Sequence, residues 1–136
     1  MLAKSASPDA LKARLLALAE ATRQRVIRMQ AKHRKACQPL ERSREEFLRN
    51  LDYLKALEAE GRYPKPLLDR ALLREELRLK HLEEELRQRE EAFQKRLALE
   101  WSKARRKAAT LMAKHGVSLD LDSLFPEVEH GPASNP

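Results

Sequence analysis

The chain has 136 residues, of which 36% are charged and only 4% aromatic, and its formal net charge is +7. Ala, Leu, Glu, Lys and Arg dominate and there are three glycines, a bias that points to long helix or coiled coil and argues against a globule with a wide core. No apolar run approaches the ~20 residues needed to span a bilayer, and no signal-peptide core is present.

The first element is announced by Ser7-Pro8-Asp9. Ser7 can cap free N–H groups, Pro8 suits the first helical position, and Asp9 faces the positive end of the helix dipole. Residues 1–7 precede it as an N-terminal extension. The apolar stripe then runs Leu11, Leu15, Leu18, Thr22, Val26, Met29, His33 and Ala36, in the steps of three and four that a buried helical face requires. Thr22 and His33 weaken it. Pro39 removes a backbone hydrogen bond and crowds the preceding turn, so the arm is expected to kink or break there. The stripe resumes in phase at Leu40, Phe47, Leu51, Leu54 and Leu57. Three-helix packing, with Pro39 as a true turn, is the alternative architecture.

Gly61 is the expected left-handed end of the first arm, and residues 61–66 form a Pro-containing connector. Pro66 can begin the second arm, which runs to His115 without an internal Gly or Pro and would extend ~75 Å. Its stripe is Leu68, Leu72, Leu79, Leu82, Leu86, Phe93, Leu97, Trp101, Ala104, Ala108 and Leu111. Glu76/Lys80, Glu83/Arg87, Glu85/Arg89 and Glu91/Lys95 are expected ion pairs, each worth ~0.2–0.5 kcal/mol to a helix. Lys114 and His115 suit the negative end of the dipole, and Gly116 is the natural stop.

Two arms of nearly equal length across a short connector imply an all-α antiparallel coiled-coil hairpin over residues 8–115. Facing positions should total about 127, which places Leu51 and Leu54 near Leu72, and Phe93 or its neighbours opposite His33. Residues 116–136 follow as an acidic, flexible tail. That tail carries Asp120, Asp122, Glu127 and Glu129 without Lys or Arg. Ser118 is its expected cap for a short turn. Its apolar Leu121, Leu124 and Phe125 suggest docking, either back on this molecule beside the basic blocks or into a groove on a partner.

No catalytic constellation emerges. The isolated glycines exclude a phosphate loop, and the charged runs of Glu83 to Glu85 and Glu90-Glu91 suit a solvated helix face. His33 and Cys37 stand four residues apart, but a metal site needs three or four ligands and the other histidines are not placed to complete one. The expectation is therefore a non-enzymatic protein with no catalytic, cofactor or metal site.

Charge distribution is the informative feature. Arg23, Arg25, Arg28, Lys32, Arg34 and Lys35 form one block without an acid; Lys95, Arg96, Lys103, Arg105, Arg106 and Lys107 form another against Glu100 alone. In an antiparallel hairpin the two blocks meet towards the open end, predicting a basic partner-binding end. A structural or adaptor subunit that binds an acidic protein in a larger assembly is the leading expectation. A phosphate-backbone binder on nucleic acid or the ribosome is the alternative, and self-association is open. The few aromatics disfavour single-strand reading by stacking.

Cys37, the sole cysteine, excludes an internal disulfide and suits a reducing intracellular compartment, the cytoplasm first. The basic, acid-poor residues 1–28 leave a mitochondrial presequence open, and the run Lys103-Ala104-Arg105-Arg106-Lys107 leaves the nucleus open.

Two long arms, a Pro/Gly connector and Trp101-Ser102 followed by that same basic run also resemble the export-ATPase stalk family of flagellar and type III secretion systems. Over residues 9–115 the resemblance implies insertion into a ring-shaped ATPase and contact with an export gate. The acidic tail departs from that plan.

Overall fold

A computed structural model describes residues 7–125. The first six residues and residues 126–136, with Glu127, Val128 and Glu129 of the expected tail, lie outside the described part. The fold is an all-α helical hairpin: α1 (Pro8–Glu60) and α2 (Lys65–His115) pack against each other, followed by a one-turn α3 (Leu121–Leu124). No helix among the described residues is long and apolar enough to cross a membrane.

The helix ends follow local chemistry. Ser7 Oγ accepts the Ala10 N–H at 3.1 Å, and Leu11 N–H donates to the Ser7 carbonyl at 2.9 Å. Gly61 ends α1 at φ 72°, a left-handed conformation that costs an L-residue energy and glycine almost none. The Pro64 carbonyl accepts from Leu67 and Leu68 at 3.1 and 3.2 Å and so starts α2.

Pro39 does not break α1, which is helical on both sides of it. Pro39 and Lys35 are both exposed, so the carbonyl that loses its donor sits on a wet face where water can serve it. This removes the three-helix alternative.

The chain forms two compact units, each holding antiparallel stretches of α1 and α2. The first combines α1 up to Ala31 with α2 from Glu91 onward. Leu11, Leu15, Ala19, Ala104, Ala108 and Phe125 make its main core; Val26, Phe93 and Leu97 make a second cluster with Met29 packed against it. Thr22 is fully buried, and its hydroxyl donates to the Leu18 carbonyl at 2.8 Å, so the polar gap in the stripe is satisfied within its own helix.

The second unit, Lys32–Glu90, has a thinner core of Cys37, Leu51, Leu68 and Leu82. Cys37 takes the buried position expected for Ala36, which is exposed. The stripe on α2 has gaps at 75 and 90, and both are filled by polar pairs across the seam. Glu75 is buried and accepts from Asn50 Nδ2 at 3.0 Å and from Arg78 Nη1 at 3.3 Å. Glu90 meets His33 Nε2 at 2.9 Å.

Asn50 thus faces Glu75 rather than position 77, about two residues off the expected register, and Leu54 shares a crevice with Ala71, a neighbour of Leu72. The expected Glu83/Arg87 pair is replaced: Glu83 crosses to Arg44 at 3.2 Å, and Arg87 turns to Glu84. Glu85 and Arg89 do pair, at 3.0 Å.

Beyond α2, residues 117–125 of the expected tail pack on the first unit. Gly116, at φ 66°, donates to Ala113 O at 3.3 Å and Val117 N–H donates to Met112 O at 3.0 Å, the two bonds of a Schellman turn. That turn sends residues 117–125 back over the first unit. Asp120, not Ser118, caps α3, accepting the Asp122 N–H at 3.1 Å.

Candidate partner-binding site

The first unit presents two unlike flanks on either side of its seam. On one flank Phe125 is 0% exposed against Leu11, Leu15, Ala19, Ala104 and Ala108, and Leu119, Leu121 and Leu124 pack around it. Three of the buried members of this cluster are alanines, Ala19, Ala104 and Ala108. Arg105 clamps this segment. Its Nη2 donates to Asp122 Oδ1 at 2.9 Å, and its Nη1 donates to the Phe125 carbonyl. Leu121, Leu124 and Phe125, the residues singled out for docking, thus lie against this same molecule.

On the other flank an open groove of about 1170 Å³ runs between α1 and α2. Arg14, Ala17, Leu18 and Arg25 line it from α1, and Glu100, Lys103, Ala104, Arg106, Lys107, Thr110 and Leu111 line it from α2. Helical spacing explains the two rows: 14, 18 and 25 recur at four and seven, as do 103, 107 and 110 at four and three, so each set shares a face. Five cations therefore stand over a strip made by Leu18, Ala104 and Leu111. The one carboxylate, Glu100, accepts from Arg25 Nε at 3.0 Å and so carries no free negative charge into the groove.

The two predicted basic blocks divide among several environments. Arg25, Lys103, Arg106 and Lys107 line the groove. Arg23 is exposed and paired with Glu20 at 2.6 Å; hydrogen bonds from the Gln24 amide and the Arg23 guanidinium hold Glu20 below the ordinary carboxylate range. Arg28, Lys95 and Arg96 are exposed in the first unit, and Arg96 lies 5.7 Å from the Phe93 ring centroid, within cation–π range. Arg105 is half-buried beneath α3 and committed to Asp122, so it does not face the groove. Lys32, Arg34 and Lys35 belong to the second unit and are exposed there.

Arg14 stands outside both basic blocks, so the charge runs alone do not mark it, although its spacing to Leu18 and Arg25 places it on the same face. Among the groove's lining residues there is no histidine, cysteine, serine or aspartate. Arg14, Arg25, Lys103, Arg106 and Lys107 give the groove donors for an anionic group.

In the second unit His33, Cys37 and Glu90 come together. Cys37 Sγ lies 3.7 Å from His33 Nε2, which meets Glu90. Burial pushes the Cys37 thiol above its ordinary range, only partly offset by the charge of Arg89. The protonated thiol is a weak nucleophile and a poor ligand. Among the described residues no group of three or more His, Cys, Asp or Glu is arranged to hold a metal ion.

Comparison with protein-family models, with curated proteins and with solved structures finds no match. The functional reading therefore rests on the chain's own residues.

Proposed function

We propose that the protein is a non-enzymatic helical adaptor that binds an acidic partner through the basic groove of its first unit. The observation that carries this is the groove's lining: five cations and a single carboxylate, itself held by Arg25, above apolar side chains. Like charges gathered on two helices repel wherever they lie closer than the ~8 Å over which physiological salt screens exposed charges. An acidic ligand removes that repulsion and gains charge-assisted hydrogen bonds. A protein surface suits the apolar strip better than a phosphate backbone, which would leave it wet.

The test is affinity capture with the full chain, with and without nuclease. Lys103→Glu, Arg106→Glu and Lys107→Glu together should abolish capture while leaving helix content by circular dichroism unchanged. Reversal of Arg62, Lys65 and Arg70, beside the connector, is the control and should do much less. Equal loss from both sets would reduce the effect to net charge. Capture that disappears with nuclease would replace the acidic protein by nucleic acid, with a steep salt dependence.

A further inference from the structure

We propose that the groove receives an acidic amphipathic helix of a partner protein, about three turns long, that lays its apolar edge on Leu18, Ala104 and Leu111 and offers carboxylates to Arg14, Lys103 and Lys107. The proposal rests on the acidic-partner reading above and names the form of the partner.

The molecule carries its own precedent. Residues 117–125 are a short apolar segment with two acids, Asp120 and Asp122, and they bind the opposite flank of the same helix pair. Leu121, Leu124 and Phe125 supply the apolar contact and Asp122 reaches Arg105 at 2.9 Å. One flank thus already recognises an apolar edge bordered by a carboxylate. At ~100° per residue, Lys103 and Lys107 project from α2 roughly opposite Arg105, so residues 117–125 leave them unserved.

The groove repeats the ingredients at greater length: an apolar strip, small residues that let a helix approach, and cations along both rims. Arg14 and Arg25 are separated by ~16 Å along α1, the rise of about three helical turns. An incoming helix of that length lying between the rims can bury leucines spaced three and four apart while its flanking carboxylates reach either wall. Extended phosphate chains would satisfy the rims and cover none of the strip.

The experiment uses the full chain and labelled synthetic peptides in anisotropy titrations. One peptide is a stapled helix with leucines at three- and four-residue spacing flanked by glutamates; the second is its scrambled isomer of identical composition; a single-stranded DNA oligomer is the third probe. The amphipathic peptide should bind about tenfold or more tighter than the scrambled one. The double variant Ala17→Trp/Thr110→Trp fills the groove from two exposed positions and changes no charge, and it should erase that preference. Circular dichroism and thermal melting establish that the variant is folded. On binding, amide shifts should fall at residues 14–18 and 103–111, with hydrogen exchange at 119–125 unchanged.

Equal binding of both peptides, unaffected by the tryptophans, would overturn the groove proposal and leave the acidic-partner reading standing. Faster exchange at 119–125 would put the peptide on the Arg105 flank and overturn it too. Binding of the oligomer but of neither peptide would overturn both readings.

Discussion

Arg105 and Asp122 form an ion pair at 2.9 Å that fastens the segment after α2 onto the helix pair it has just left. The pair is partly exposed, so its own contribution is small; the buried Phe125 ring beside it supplies most of the attachment. Truncating a buried Phe costs ~3–5 kcal/mol. Phe125→Ala should therefore release residues 119–125, seen as a large rise in their hydrogen exchange. Arg105→Ala should raise the same exchange by a smaller amount, while amides in the middle of α2 stay protected. Unchanged exchange in both variants would contradict the clamp.

Gly116 directs that segment through its positive φ. A Cβ there would meet nothing within 4 Å, so substitution acts through backbone strain alone. Gly116→Ala should cost ~1–2 kcal/mol and loosen residues 117–125, whereas Ala113→Gly, a change of similar size inside α2, should leave their exchange nearly unaltered. Chemical denaturation and amide exchange together distinguish the two.

Glu75 is buried at the seam and depends on Asn50 and Arg78 for its hydrogen bonds. Asn50→Leu should destabilise the protein by ~1–3 kcal/mol, since it leaves a buried acceptor short of a donor. The double change Asn50→Leu/Glu75→Leu should recover stability and even exceed the wild type, at the expense of a fixed register. Urea midpoints read the stability; cross-linking between cysteines placed at 47 and 78 reads the register.

Cys37 should react slowly with iodoacetamide at neutral pH and at the normal rate once the chain is unfolded, because burial favours the protonated thiol. The folded pKa lies above the unfolded one, so this group's contribution to stability is complete below the unfolded thiol pKa. It is lost as pH rises through the folded value. A folded-state alkylation rate equal to that of a free thiol would contradict the burial.

Much of this was readable from the residues. Ser7, Gly61, the connector prolines and Gly116 act through bonds to near neighbours, so the limits of α1 and α2 follow from local chemistry. Three-and-four spacing locates the buried stripe on each arm, and equal arms across a short connector imply the antiparallel pair. What a periodic pattern leaves open is the edge of the stripe. Successive residues turn by ~100°, and neighbouring positions compete for the seam until the facing helix is in place. The packing put Cys37 inside and Ala36 out, and paired Glu75 with Asn50 where the pattern had only a gap. The same applies to charge: Arg105 and Arg106 are adjacent in sequence, yet one is bound under α3 and the other lines the groove. Helices and their ends are set by bonds within a few residues. The choice of which arginine lines the groove depends on where Phe125 docks, a contact between residues far apart in sequence that no local pattern encodes.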